Sequence, residues 1–242
     1  MKKHVPNFIT CLNLFTGCVA LGLIMQQRLA EAALMTVLAA AFDFLDGLAA
    51  RVLKAYSPLG KDLDSLADAI SFGLVPGAIL YQLMQQTNYA TTYPNEFIRT
   101  CIQYTPFFIT VFSVLRLAKF NNDTRQTTSF IGLPTPANAM LIGSIPLMMT
   151  YHPETEFVIF DSPEVLILIT LVQSWLLVAE IPLFSLKFKH YRWKENEVRY
   201  VFISLSALLL AILYYMAIPI IIFLYILISL LSRGTSQPHE KV

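Results

Sequence analysis

Two stretches decide the reading of this chain: Asp43-Phe-Leu-Asp46-Gly47-Leu-Ala-Ala50-Arg51 and Gly60-Lys-Asp62-Leu-Asp64-Ser-Leu-Ala-Asp68. Five of the 16 acidic residues fall within these 26 positions. Asp43, Asp46, Gly47 and Ala50 recur at i, i+3, i+4 and i+7, so they share one helix face. Asp64 and Asp68 share a face of the next helix. Ser57, Pro58 and Gly60 between them make a loop, which lets the two helices run as antiparallel neighbours. Four carboxylates then converge at one end of the pair. Asp62 lies off that face beside Lys61 and reads as a solvated loop residue.

The rest of the chain is built for lipid. Of its 242 residues 56% are hydrophobic and 14% charged, and the mean hydropathy is +0.59. A soluble domain carries roughly 25% charged residues. No long polar stretch exists to form a second soluble domain. The net charge of +1 and pI near 7.7 exclude a nucleic-acid surface, and the composition excludes disorder. Cys11, Cys18 and Cys101 fit no metal-ligand spacing and read as reduced, small hydrophobes. The four histidines have no ligand spacing either.

Apolar segments at about 8–26, 30–52, 64–86, 98–119, 137–151, 163–185, 200–215 and 217–232 predict an all-α, polytopic membrane helix bundle of about eight transmembrane helices. The first is expected to be a span rather than a signal peptide, since no cleavage site with a polar mature chain follows it. Residues 200–232 are too long for one crossing, and Met216, Ala217 and Pro219 offer a break into a hairpin. With the N-terminus inside, the inside segments hold 15 of the 17 Lys and Arg, and the outside segments only Arg28 and Arg99. That asymmetry places the carboxylates at the cytoplasmic boundary.

An ionised carboxylate near hydrocarbon costs a few kcal/mol, and four together repel one another. Compensating charge makes such a cluster tenable. Arg51 supplies one unit; divalent cations with a taste for hard oxygen ligands supply the rest. Gly47 and Ala50 remove bulk beside the acids and leave a slot against the helix. Cations and an arginine beside a slot suit a pyrophosphate. The alternative use of intramembrane acids, a cation transporter, explains neither the spacing of Gly47, Ala50 and Arg51 nor the position at one interface.

The pattern Asp-x2-Asp-Gly-x2-Ala-Arg-x8-Gly-x3-Asp-x3-Asp, here Asp43, Asp46, Gly47, Ala50, Arg51, Gly60, Asp64 and Asp68, resembles the signature of the CDP-alcohol phosphatidyltransferases with no departure at a fixed position. Three further stretches resemble the serine-using membrane-integral branch of that family. They are Pro6-Asn7-Phe-Ile-Thr10-Cys-Leu-Asn13, Ser71-Phe72-Gly73 after the motif, and Arg116-Leu-Ala-Lys-Phe-Asn121 with Gly132-Leu133-Pro134-Thr-Pro136-Ala-Asn138. The resemblance covers about residues 1–185. It implies a six-helix catalytic core there, with 186–242 holding a basic loop, two more spans and a short tail. It implies transfer of the phosphatidyl group of CDP-diacylglycerol to L-serine with release of CMP, in the cell membrane and as a homodimer. The sibling activity, with glycerol 3-phosphate or inositol phosphate as acceptor, asks for a denser cation cluster than Arg116 and Lys119 provide.

Carried over residue by residue, the resemblance makes Asp43, Asp46, Asp64 and Asp68 ligands of two divalent cations, Mg2+ or Mn2+. It makes Asp68 the general base, and Gly47, Ala50, Arg51 and Gly60 the cradle of CDP-diacylglycerol. Asn7 and Thr10 either reach the nucleotide or cap the first helix. Arg116 is either a positive-inside anchor or the partner of the serine carboxylate, which its planar fork matches. Gly132-Leu133-Pro134 is either a wall of the acceptor pocket or a plain turn. Lys187, Lys189, Arg192 and Lys194 read as topology determinants at the lipid headgroups.

Overall fold

The computed structural model describes residues 4–123, 129–152, 157–184, 192–193 and 196–231. Arg125, Glu154, Glu156, Lys187, Lys189, Lys194 and the tail after 231 lie outside the described residues. The chain is an all-α membrane bundle. Helix α1 (His4–Met25) turns tightly into α2 (Leu29–Val52) through Gln27, which takes φ 62°. Helix α3 (Pro58–Asp68) opens on a sound cap: Ser57 Oγ accepts from the Gly60 N–H at 3.0 Å, and Pro58 takes the first position. A π turn (Ala69–Leu74) then leads into α4 (Val75–Gln86) without a break in the axis. Pro76 cannot donate to the Phe72 carbonyl, and the helix widens just ahead of it.

Short α5 (Tyr89–Thr92) precedes α6 (Glu96–Tyr104), which continues through a 3-10 turn at Thr105–Phe107 into α7 (Phe108–Asn122). Strand β1 (Ser129–Ile131) precedes α8 (Thr135–Tyr151); a 3-10 turn (Val158–Asp161), α9 (Pro163–Val178) and strand β2 (Pro182–Phe184) follow. Helices α10 (Glu197–Leu213) and α11 (Ala217–Leu231) complete the described residues. Five helical stretches among the described residues are long and apolar enough to cross a membrane: 4–25, 29–52, 58–86, 96–122 and 197–231. The last is folded back on itself, because the Phe202 and Tyr225 rings meet at 5.6 Å across the turn Tyr214–Met216. Tyr214 takes φ 49° there. The break starts two residues ahead of the expected Met216, α11 begins at 217 as expected, and Pro219 sits in its first turn.

Two other boundaries differ from expectation. The third span starts at Pro58 instead of 64, so Asp62 lies on α3, exposed, and not in a loop. The sixth expected span, α9, stops at Val178, and residues 182–184 pair antiparallel with β1 through Phe130 and Leu183. Gly132, at φ 75°, turns the chain out of β1 so closely that a Cβ would stand 2.5 Å from the Leu177 carbonyl oxygen.

Lipid tails are as apolar as leucine, so close packing at small residues holds such helices together. Gly17 lies against Ser71, Gly73 against Ser113, and Gly143 against Ala33, whose Cβ is 3.3 Å from the place a glycine Cβ would take. Ile79, Leu80, Met84, Ile109, Ile142 and Leu166 fill the centre. Phe8, Phe15, Leu168, Trp175 and Phe223 face outward. Leu133, Leu183, Phe202, Ile222 and Tyr225 form a second cluster that ties the C-terminal hairpin to the start of α8.

Candidate active site

The last turns of α2 and the length of α3 bring Asp43, Asp64 and Asp68 together, with one carboxylate oxygen of each within 4.8 Å of the others. Three hard oxygen donors at that spacing fit a divalent cation such as Mg2+ or Mn2+. Asp46 stands one turn from Asp43 and outside that triad. Its Oδ2 accepts from the Thr10 hydroxyl at 2.6 Å. Thr10 is thus no helix cap, and its side chain lines the adjacent cavity while its hydroxyl proton is held by Asp46. It lies mid-α1 and ties α1 to α2 through a charge-assisted hydrogen bond.

A cavity of about 270 Å³ opens beside the carboxylates. Asp43, Asp46 and Asp64 line it on one side, and Gly47, Ala50, Gly60, Asn7 and Thr10 line the rest. A Cβ at Gly47 would meet nothing within 4 Å, so no packing inside the protein requires glycine there; the empty volume is the cavity itself. At Gly60 a Cβ would come 3.0 Å from Asn7 Oδ1, which fixes Asn7 at the rim. Arg51 is exposed, and its Nε donates to the carbonyl of Gly47 at 2.9 Å. Both terminal nitrogens of its guanidinium remain for an anion.

Asp68 sits behind this lining, 8% exposed, where α3 passes into the π turn. Asn13 Nδ2 donates to its Oδ1 at 3.3 Å. The wide turn is fastened to α1 as well, because the Ser71 hydroxyl donates to the Asn13 carbonyl at 3.1 Å. Arg116 is buried on α7 with its Nε unpartnered, and its guanidinium carbon stands 5.9 Å from the centre of the Phe120 ring. The arginine is therefore an interior residue of the bundle. Lys119, one turn on, is exposed.

A family model for CDP-alcohol phosphatidyltransferases matches residues 3–186. The chain belongs to the CDP-alcohol phosphatidyltransferase family. Among curated relatives it is 32% identical, over 151 residues, to CDP-diacylglycerol–serine O-phosphatidyltransferase of Bacillus subtilis, covering 62% of this chain and 78% of that protein. It is 32% identical to the protein of the same name from Helicobacter pylori, over 57% of this chain and 54% of that protein. Archaetidylserine synthase of Methanothermobacter thermautotrophicus is also 32% identical, over 61% of this chain and 59% of that protein. The matched stretch thus spans less than two thirds of the latter two.

Asn13, Ser71 and Tyr225 carry no role that the sequence alone assigns. Asn13 is visible as one of four polar residues, Asn7, Thr10, Asn13 and Thr16, spaced by three in an otherwise apolar helix, a pattern that marks the polar flank meeting the carboxylates. Tyr225 gives no such signal, since its hydroxyl finds a backbone partner, the Phe184 carbonyl, at 2.8 Å.

Proposed function

We propose that this chain transfers the phosphatidyl group of CDP-diacylglycerol to L-serine and releases CMP. The observation that carries the reading is the triad Asp43, Asp64 and Asp68 beside a cavity whose wall is stripped of side chains at Gly47. The serine-using relatives support the choice of acceptor. Asp43, Asp46, Asp64 and Asp68 would hold two divalent cations, Mg2+ or Mn2+, which when bound neutralise the pyrophosphate and stabilise CMP as leaving group.

The protein's own groups account for the remaining steps. Gly47, Ala50 and Gly60 let the cytidine and ribose lie against the helix backbones, with Asn7 at the rim and Arg51 on a phosphate oxygen. Arg116 takes the serine carboxylate through its fork. The serine Oγ attacks the phosphorus that carries diacylglycerol. The new O–P bond forms as the bond from that phosphorus to the bridging oxygen breaks, and its electron pair leaves with CMP. Asp68 accepts the hydroxyl proton on Oδ2, since Asn13 holds Oδ1. An aspartate carboxylate, which in water titrates at about pH 3.9, is a weak base, and a fixed geometry that brings the hydroxyl close compensates.

The positive-inside asymmetry and the resemblance support a cell-membrane enzyme with its N-terminus and active site on the cytoplasmic side, working as a homodimer. They also support residues 1–185 as catalytic core and 186–242 as an appended basic loop and hairpin. The test of the acceptor is a panel of labelled serine, glycerol 3-phosphate and inositol phosphate offered to the purified protein with CDP-diacylglycerol and magnesium. Lipid label from serine alone supports the reading; label from a phosphorylated acceptor instead refutes it.

A further inference from the structure

Several buried polar groups around the carboxylates are left without partners, Asn13 Oδ1 and Ser113 Oγ among them, and three of the others stand at one depth. Asn138 on α8 is 0% exposed, and neither its carboxamide oxygen nor its nitrogen makes a hydrogen bond among the described residues. Thr135, one turn earlier, is also 0% exposed with its hydroxyl unpartnered. Arg116 Nε is the third. A buried carboxamide offers two donors and an acceptor with two lone pairs, and leaving them all unmade is costly enough that each such group calls for an explanation.

Helix register brings the three to one depth. Ala139 packs with Ala39, and Gly143 lies on Ala33, so α8 runs antiparallel to α2. Thr135 precedes Ala139 by one turn and Asp43 follows Ala39 by one turn, which sets Thr135 level with Asp43. Phe72 of the π turn joins the same cluster, so α8 touches α2 and the π turn together. On the other flank Asn121 Nδ2 donates to Ser65 Oγ at 2.7 Å and Gly73 packs on Ser113. Helix α7 is thereby antiparallel to α3–α4, and Arg116 comes level with the residues just after Asp68.

We propose that Asn138 and Thr135 complete the acceptor pocket opposite Arg116, with Asn138 Oδ1 taking the ammonium of an amino-acid alcohol while Arg116 takes its carboxylate. This rests on the serine reading above and adds the group that tells serine from a hydroxy acid. A zwitterion needs an acceptor as well as a cation, and the Asn138 carbonyl is a neutral acceptor that does not add a fifth negative charge to the cluster. The Thr135 hydroxyl, on the same flank one turn away, accepts a second ammonium proton.

The test uses the full chain in detergent, with Asn138→Leu, Asn138→Ser and Thr135→Val. Serine is compared with 3-hydroxypropanoate, which lacks only the ammonium. In the unsubstituted protein serine is strongly preferred. The Asn138 variants raise the serine KM roughly 10- to 150-fold, the span of one lost hydrogen bond to a charged group. The KM for CDP-diacylglycerol stays within about twofold, and the preference for serine over 3-hydroxypropanoate collapses. Thr135→Val, which keeps the shape, shifts both in the same direction by less. A serine KM that does not move, or one that rises while the preference persists, overturns the inference. Loss of CDP-diacylglycerol binding in both Asn138 variants does so too, since the residue then serves the fold. An unsubstituted protein that ignores serine overturns the acceptor assignment itself, whereas normal serine use by Asn138→Leu overturns this inference alone.

Discussion

Asn13 on α1 donates to Asp68 at the end of α3 across 3.3 Å, and its own backbone carbonyl accepts from Ser71 in the following π turn. One residue of the first helix therefore sets both the orientation of a buried carboxylate and the course of the helix that carries it. Of the two Asp68 oxygens, only Oδ2 is left to face a reacting hydroxyl.

This division separates binding from chemistry. Asp68→Asn keeps Asp43, Asp46 and Asp64 around the cavity, so CDP-diacylglycerol binding is expected to persist while turnover falls at least about a hundredfold, the lower end for loss of a general base. Asp43→Asn and Asp64→Asn are expected to lose both, at constant side-chain volume and with the protein still folded and inserted. Equilibrium binding of the lipid alongside steady-state CMP release distinguishes the two classes. Near-normal turnover in any of the three removes that residue from the machinery.

Gly47 offers a cleaner contrast. A methyl group there touches nothing within 4 Å, and alanine is the better helix former by roughly 1 kcal/mol. Gly47→Ala is expected to melt no lower than the wild type yet bind CDP-diacylglycerol less tightly, because the methyl occupies ligand space. Unchanged affinity would mean that the nucleotide lies elsewhere.

Arg116→Lys keeps the charge and loses the fork. The lost contact is worth about 1.5–3 kcal/mol, or roughly one to two decades in serine KM if binding falls uniformly. Lipid affinity is expected to stay put. Weakened lipid binding with an unchanged serine KM would reassign the arginine to the phosphates.

Gly132 tests the frame around that pocket. At φ 75° and with a carbonyl oxygen 2.5 Å from its missing Cβ, it tolerates no side chain without movement of α9. Gly132→Ala is expected to lower thermal stability by about 1–3 kcal/mol and, through the start of α8, to raise the serine KM. Thermal unfolding of purified protein measures the first effect; no change would show that the turn re-forms at no cost.

Most of this frame was legible in the sequence, since runs of apolar residues report spans directly and i, i+3, i+4, i+7 spacing reports a shared face. The carboxylate motif and the small residues beside it needed no tertiary information. What stayed hidden depends on contacts between distant segments. The hydrogen bond from Thr10 to Asp46 is invisible locally because the two are 36 positions apart. The π turn arises where Pro76 acts on a helix already pinned by Ser71 and Gly17, which no local pattern reveals. The burial of Arg116 depends on α7 packing against the π turn and α4, a long-range contact that no local pattern encodes. The pairing of Ser129–Ile131 with Pro182–Phe184 joins two three-residue segments too short to carry an alternation that would mark them.

The stoichiometry of the transfer tests the account most directly. Purified protein is given CDP-diacylglycerol, magnesium and labelled serine, and CMP and labelled lipid are counted together, with and without excess EDTA. The account predicts one CMP for each labelled phosphatidylserine, no product in EDTA, and recovery with magnesium or manganese. Full activity in excess EDTA, or CMP released with no label in lipid, would contradict it.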